Sequence, residues 1–160
     1  MEENKLLLDV ENLVVEFHTD EEVVHAVNGV TLKVGNGKTL GLVGETGAGK
    51  TTTAKALMRL IPKHSGQVAY DKIEVNGKAV MDLTERELEQ MRGKDISMIF
   101  QDPMTSLNPV MTVGEQIAES IQLHEKVSHS EAMQRAKEML ELVGIPGTRA
   151  DEYPISSPAV

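Results

Sequence analysis

The segment GETGAGKTT, which begins at Gly44, has the residue types and the spacing needed to bind a polyphosphate. Gly44, Gly47 and Gly49 can adopt backbone torsions that are closed to residues with a Cβ, so successive N–H groups can turn toward one anion. Lys50 would place a full positive charge near the β and γ phosphates, and the hydroxyl of Thr51 could coordinate Mg²⁺. These residues predict a phosphate-binding loop that also holds a magnesium ion.

The segments on either side of this loop would position it. Residues Thr39 to Val43 are mostly apolar and predict a buried strand, and Lys50 to Leu60 predict a helix that is halted at Pro62. The N-terminus of that helix would add partial positive charge at the loop. A glycine-rich loop that merely turns a strand into a helix is the alternative, but the Lys-Thr pair and the strand-loop-helix order favour phosphate binding.

Three segments together resemble the ATP-binding subunits of ABC transporters. They are the phosphate loop, the stretch VEFHTDEEVVHAVNGVTLKV from Val15, and the stretch ISMIFQDPMTSLNPVMTVGEQI from Ile96. The dipeptide and oligopeptide importer branch is the most similar, because a GES-type loop and an MIFQDPMTSLNP-type segment occur together there. The resemblance runs from about Leu6 to Pro154. It implies an α/β fold of the P-loop NTPase class and ABC type, with an antiparallel β subdomain, part of a parallel-sheet nucleotide core, and a helical arm.

The resemblance also implies ATP and Mg²⁺ as cofactors and assigns roles to residues. Phe17 matches the aromatic position that stacks on adenine, and Gln101 matches the glutamine that reaches Mg²⁺ and the attacking water. Lys50 and Gln101 would then be catalytic, and Thr51 and Gln101 would contact the metal. The nucleotide-binding set would be Phe17, Gly44, Glu45, Thr46, Gly47, Ala48, Gly49, Lys50, Thr51 and Thr52.

Each of the two residues outside the loop has a simpler interpretation. Phe17 could be an ordinary strand residue packed in a sheet, because aromatic residues favour strands. Gln101 follows the apolar run from Ile96 to Phe100 and could simply begin a polar turn. Within the loop, Thr46, Ala48 and Thr51 stand where serines are common in the family, which should not prevent phosphate binding.

By the same resemblance, residues 1–160 correspond to the N-terminal part of a single nucleotide-binding domain. Residues from about 5 to 80 would form the β subdomain, together with the strand and the helix that flank the phosphate loop. Residues from about 81 to 102 would form a helix and the strand from Ile96 to Phe100, which leads to Gln101. Residues from about 103 to 150 would form the helical arm that contacts the permease, unless they are a plain packing unit. Strands are expected at Leu6 to Phe17, Val23 to Val34, Gln67 to Tyr70 and Ile73 to Val75.

Three helix starts can be recognised by capping boxes, in which Ser or Thr precedes Glu by three positions. The pairs are Thr84 with Glu87, Thr112 with Glu115, and Ser128 with Glu131. Gly93 and Gly144 mark helix ends. The apolar face of the third helix is predicted to consist of Ala132, Ala136, Met139, Leu140 and Val143.

Composition restricts the function classes. The formal net charge of −9 argues against a nucleic-acid-binding surface, and the absence of cysteine excludes disulfides and thiolate metal sites. The opening MEENKLLLDVEN is acidic without a long apolar core, which argues against a secretory signal. We therefore expect a cytoplasmic protein, peripheral on the inner face of the cell membrane. By resemblance its partners would be transmembrane permease subunits and a second ATP-binding subunit.

The last residues depart from the family pattern. In the family, a motif of the form YPHQFSGGM follows the arm, and after it come an acidic strand with the general base and a late histidine. In this chain, Tyr153-Pro154 is followed by ISSPAV instead. Deleting one C from codons for YPHQFSGGMR yields YPISSPAV and a stop codon. Residues 155–160 are therefore interpreted as an aberrant tail from a frameshift in a longer gene, truncated before the signature motif. Sequencing the locus tests this hypothesis.

Such a chain should bind ATP without hydrolysing it, since the signature motif and the general base would be missing. The two apolar strands predicted at Thr39 to Val43 and Ile96 to Phe100 would lack neighbouring strands in such a chain. We therefore expect it to rearrange or to associate with another copy. Two alternatives remain open at this point. One is another phosphate-loop enzyme, such as a small-molecule kinase or a GTPase, although the guanine-specific NKxD is absent. The other is a non-catalytic interaction fragment that competes with an intact subunit.

Overall fold

A computed structural model describes residues 6–101 and 106–154. The chain divides into two compact units, of which the first ends at Ser97 and the second begins at Met98. Residues 102–105 of the MIFQDPMTSLNP segment and the proposed aberrant tail, 155–160, lie outside the described residues. The interpretation of that tail thus stays a prediction.

The first unit is built on a five-stranded antiparallel sheet. The strands are β1 (Leu6–His18), β2 (Val23–Gly35), β3 (Gly66–Ala69), β4 (Lys72–Val75) and β5 (Lys78–Ala79). Strand β1 is central: β2 pairs along one edge, β4 and β3 share the other edge, and β5 pairs with β4. The four strands expected from the sequence are confirmed to within one or two residues.

A bulge in β1 explains how this strand faces the core. Side chains alternate between the two faces of a strand, so Val10 and Leu13, three residues apart, should point to opposite faces. Both are fully buried, because the register shifts between them and Asn12 adopts a left-handed φ of 52°. The extra residue returns Leu13 and Val15 to the core face.

Short-range signals set the helices and turns of the first unit. Helices α1 (Lys50–Leu57) and α2 (Glu85–Met91) bury Ala56, Leu57, Leu88 and Met91 in the same core as the sheet. Thr84 and Glu87 form the full capping box at the start of α2. Asn76 and Gly77, with φ of 50° and 77°, turn β4 into β5 as a type I′ hairpin requires.

Two expected strands are not formed. Thr39–Val43 and Ile96–Phe100 carry no strand pairing, apart from one parallel bridge between Arg92 and Ile96. Val43 and Ile99 are 99% and 97% exposed. An apolar run becomes a strand only when a neighbour satisfies its N–H and C=O groups, and no neighbouring strand is found for either segment in the described part of the chain. The strand predictions are wrong for that reason.

The second unit is helical. Helices α3 (Val113–His124) and α4 (His129–Leu142) pack together, and a 3₁₀ helix at Gly147–Asp151 packs on both. Thr112 and Glu115 complete a capping box, and Ser128 accepts a hydrogen bond from the Glu131 N–H. Gly114 permits a close approach, since a Cβ there would lie 2.8 Å from the Ala150 carbonyl oxygen.

The predicted apolar face of α4 is only partly buried. Ala132, Ala136 and Leu140 are buried, whereas Met139 and Val143 are 51% and 70% exposed. The buried face is narrower than expected, and Val143 lies just beyond the last residue of α4. Of the helices that the structure describes, none combines the length and the apolar character needed to cross a membrane.

Candidate functional site: a phosphate-binding loop

The segment GETGAGKTT consists of a loop from Gly44 to Gly49 and the first three residues of α1, which begins at Lys50. Gly49 occupies the N-cap position, where no side chain accepts a hydrogen bond from the helix. The first turn of α1 contains no acidic residue. Neither the N-cap nor the first turn of α1 therefore supplies a side chain that neutralises the positive end of the helix dipole, which favours an external anion at this point.

Gly49 is required by a close contact with the sheet. Its φ is 81°, in the left-handed region, and a Cβ at this position would lie 2.3 Å from the backbone carbonyl oxygen of Ala26 in β2. Val27, the next residue of β2, would be 3.4 Å away through its Cγ2. The end of the loop is thus anchored on β2, in a position that only glycine can occupy without a shift of the backbone.

Ala26 is a site residue that the sequence interpretation missed. It contributes its backbone carbonyl and no side-chain chemistry, and it precedes Gly49 by more than twenty residues. No motif signals such a contact.

The backbone of the loop leaves several N–H groups available. Gly47 adopts a φ of 86°, and a Cβ there would meet nothing within 4 Å. The Ala48 N–H donates to the Glu45 carbonyl at 3.1 Å, which closes a tight turn. In the described part of the chain, the N–H groups of Thr46, Gly47 and Gly49 donate to no backbone carbonyl. Unpaired amides on a glycine-rich turn are the donors that phosphate-binding loops use.

Lys50 holds the loop in a curved shape. Its Nζ donates to the carbonyl oxygens of Gly44 and Glu45, at 2.6 and 2.7 Å. These contacts bring the ammonium back over the loop that precedes it in sequence. A phosphate bound to the loop amides would therefore meet this charge without a large movement of the lysine.

Thr53 supports the helix start from the buried side. It is 4% exposed, and both its N–H and its Oγ1 donate to the Gly49 carbonyl oxygen, at 2.8 and 2.9 Å. Thr51 is exposed and Thr52 half-buried in the same first turn of α1. The three threonines thus divide between one that fixes the helix start and two that reach solvent beside the loop.

Phe17 lies near the end of β1, opposite Val24 of β2 and Gly66 of β3. It is half-buried and packs against the core of the first unit, with Cε1 3.3 Å from the position that a Cβ of Gly66 would occupy. Val24 precedes Ala26 by two residues, about 7 Å along a strand. Phe17 and the phosphate loop therefore meet the same stretch of β2, and the side chain also has the packing role that the simpler interpretation gives it.

Gln101 belongs to the second unit, where it is exposed and lies in a bend. Gly44, Glu45, Thr46, Gly47 and Ala48 are all exposed in the first unit. No cluster of three or more His, Cys, Asp or Glu side chains suited to a metal ion occurs among the described residues. Mg²⁺ usually keeps several waters and takes only one or two protein ligands, so the exposed Thr51 hydroxyl in the first turn of α1 is of a type that fits it.

The chain is similar to known proteins over most of its length. Residues 27–157 match the family model described as ABC transporter. The probable peptide ABC transporter ATP-binding protein y4tR of Sinorhizobium fredii is 47% identical over 151 residues, which are 93% of this chain and 45% of that protein. The oligopeptide transport ATP-binding protein OppD of Bacillus subtilis is 47% identical over 150 residues, 92% of this chain and 42% of that protein. The chain thus spans less than half the length of these two relatives.

A solved structure has the same fold. The dimeric ATP-binding cassette MJ0796, in a post-hydrolysis state bound to ADP and Pi, superposes with a TM-score of 0.74 at 22% identity. The match covers 94% of this chain and 63% of that one. The architecture is therefore that of an ABC-type phosphate-loop cassette, represented in part. This chain belongs to the ABC transporter family.

Proposed function

We propose that this chain is the ATP-binding part of an ABC importer for peptides. The observation that carries the proposal is the segment from Gly44 to Thr52, which combines amides without a backbone partner, a lysine ammonium folded back on the loop and a helix start without a side-chain cap. The relatives named for peptide and oligopeptide transport support the substrate class. Membership of the ABC family supports ATP as the nucleotide.

The proposed roles of individual residues follow from their places in the structure. The amides of Thr46, Gly47 and Gly49 and the Lys50 ammonium would bind the phosphates. The Thr51 hydroxyl, exposed in the first turn of α1, would be one ligand of the Mg²⁺ that accompanies ATP. Phe17 would stack on adenine, and Gln101 would reach the metal and the attacking water. The bound magnesium would neutralise phosphate charge during phosphoryl transfer.

Location and partners belong to the same proposal. A peptide importer needs a permease, and the ATP-binding subunit would lie on the inner face of the membrane through that contact. The helical unit of α3 and α4 would be the arm that meets the permease. The solved cassette MJ0796 is dimeric, which supports a second ATP-binding subunit as the other partner.

Equilibrium binding of Mg-ATP to the purified chain tests the proposal, with Lys50→Ala as the informative variant. Removing a charged donor from phosphate should weaken binding by about tenfold or more. Lys38→Ala is the matched control, because Lys38 is an exposed lysine of the same unit that forms no ion pair within the described part of the chain. Equal affinity of the two variants, or no saturable binding by a folded wild-type chain, would contradict the proposal.

We further propose that the 160-residue chain by itself turns over little ATP. Its sequence contains no Ser-Gly-Gly signature, and loss of a general base typically lowers a rate by about 10²- to 10⁴-fold. A phosphate-release assay measures this directly. Turnover by the wild-type chain that Lys50→Ala abolishes would overturn this part of the proposal and leave the binding part standing.

A further inference from the structure

A cleft of about 690 Å³ opens beside the C-terminal end of α1. Its cationic lining is Arg59, Lys63 and Arg92, its one carboxylate is Glu85, and Ile61 and Val68 form part of its apolar floor. Helix α1 has eight residues and is about 12 Å long, so this cleft lies at the opposite end of the helix from Lys50. It is therefore separate from the phosphate loop.

The charge of the cleft is opposite to that of the chain. Three cationic side chains face a single carboxylate, in a protein whose formal net charge is −9. The C-terminus of α1 contributes a partial negative charge of about half an elementary unit, which is too small to offset this excess. The cleft is thus a local positive site on an acidic protein.

Arg59 occupies a backbone position at which glycine is usual. Its N–H bonds to the Ala56 carbonyl at 3.0 Å and the Leu60 N–H bonds to the Lys55 carbonyl at 2.9 Å, the pattern of a Schellman helix end. Its φ is 51°, in the left-handed region that a residue with a Cβ disfavours. An arginine in this strained position suggests that its side chain, and not its backbone, is what the position requires.

Both guanidinium groups are held in place before any ligand arrives. Arg59 Nη1 donates to the Leu83 carbonyl at 2.6 Å. Arg92 donates through Nε and Nη2 to the Met58 carbonyl, at 3.1 and 2.8 Å. Fixed side chains lose little rotational freedom on binding, which favours association with an anion.

Glu85 shows that the cleft accommodates an oxyanion. Its Oε1 lies 3.2 Å from Arg59 Nη2 and 3.5 Å from Lys63 Nζ, so one carboxylate oxygen bridges two of the three cations. The Glu85 side chain is 66% exposed, at the start of α2. It can rotate into solvent and give up its place to an external group of the same kind.

We propose that this cleft is a second anion site, which binds a phosphate group carried by a small organic molecule. Arg59 and Lys63 would hold a doubly charged phosphate in the position that Glu85 occupies. Arg92, whose Nε and Nη2 donate to the Met58 and Arg59 carbonyls, would add positive charge to the cleft. The organic part would cover Ile61 and Val68. This inference does not depend on nucleotide binding at the loop, because the two sites share no residue.

Amide chemical shifts of the ¹⁵N-labelled full chain, titrated with inorganic phosphate and with phenyl phosphate at constant ionic strength, test the proposal. We expect saturable shifts at residues 59–66 and 81–92, with phenyl phosphate binding more tightly than phosphate. The same shifts should persist in Lys50→Ala. Shifts confined to the phosphate loop, or shifts that do not saturate, would overturn the proposal.

Variants of the cleft should change the affinity for phenyl phosphate in opposite directions. Lys63→Ala should weaken binding about two- to fivefold, and Arg59→Gly, which suits the left-handed backbone, should weaken it about tenfold or more. Glu85→Gln should tighten binding about two- to fivefold, because the competing carboxylate is removed. Lys94→Ala removes an exposed lysine of the same unit outside the cleft and should leave the affinity unchanged. Weaker binding by Glu85→Gln would contradict the proposed exchange of anions.

Discussion

Gly49 of the phosphate loop rests on the Ala26 carbonyl of β2 so closely that a Cβ would lie 2.3 Å from its oxygen. This contact ties the loop to the sheet that also carries Phe17. Gly47, two residues earlier, has nearly the same left-handed φ but meets nothing within 4 Å. Alanine at Gly47 would therefore carry the cost of backbone strain alone, whereas alanine at Gly49 would add the cost of a steric clash.

Gly47→Ala and Gly49→Ala should differ in stability for this reason. Forcing alanine into the left-handed region costs about 1–2 kcal/mol, and we expect no more than that at Gly47. At Gly49 the displaced carbonyl should add a further cost of about 1–3 kcal/mol, typical of overpacking. Urea unfolding of the two variants measures the difference. Equal midpoints would mean that the loop does not rest on β2.

Phe17→Leu should distinguish stacking from packing. Leucine keeps most of the volume against the core but has no aromatic face. If Phe17 stacks on adenine, ATP affinity should fall by about 1–3 kcal/mol, the range measured for a base on an aromatic side chain. The affinity for inorganic triphosphate should not change in the same calorimetric experiment. An equal loss for both ligands would assign Phe17 a packing role only.

Asp9 should make the stability of the first unit depend on pH. Lys72 donates to its Oδ2 at 2.8 Å and Lys33 lies 3.2 Å from its Oδ1. The hydrogen bond from Lys72, aided by Lys33, holds the pKa of the Asp9 carboxyl below its usual value and outweighs the opposing effect of burial. A carboxyl with a depressed folded-state pKa stabilises the fold above its unfolded-state pKa, and this contribution is lost as the pH falls through the folded value.

Asp9→Asn is the test of that assignment. Glu11 and Glu74 also pair with these lysines and stay in place, so the variant isolates one carboxylate. Wild type should be more stable than Asp9→Asn at neutral pH, and the difference should shrink as the pH is lowered below the unfolded-state pKa of aspartate. Denaturant midpoints at several pH values measure it. A difference that is constant across this range would show that the charge of Asp9 is not involved.

Ser128→Ala should destabilise the helical unit. Its Oγ accepts the Glu131 N–H at 3.2 Å and caps the start of α4. Loss of such a cap typically costs about 1 kcal/mol. Ser130→Ala is the control, because Ser130 is an exposed residue inside α4, where alanine is the better helix former. Thermal unfolding that responds to Ser130→Ala as strongly as to Ser128→Ala would argue against the capping role.

Local signals in the sequence predicted much of this fold. The capping pair of Thr84 and Glu87 and the turn at Asn76-Gly77 act through neighbouring residues, so they can be recognised from the sequence alone. The strand predictions at Thr39–Val43 and Ile96–Phe100 were wrong: an apolar run predicts burial, but it forms a strand only beside a partner strand, and neither segment has one in the described part of the chain.

The candidate site likewise combines residues that can be predicted from local sequence with contacts that cannot. The glycines, Lys50 and Thr51 follow from a motif whose chemistry is local. The anchoring of Gly49 on Ala26 and the bond from Thr53 to the Gly49 carbonyl depend on how α1 packs against the sheet. Tertiary contacts of this kind leave no mark in residue spacing.

The central claim is that the amides of the loop and the Lys50 ammonium together bind a nucleotide triphosphate. Amide chemical shifts of the labelled chain on addition of Mg-ATP test it most directly. We predict that the largest saturable shifts occur at residues 46–52, and that Lys50→Ala needs about tenfold more Mg-ATP or higher to produce them. A folded chain whose loop amides do not respond to Mg-ATP would contradict the claim.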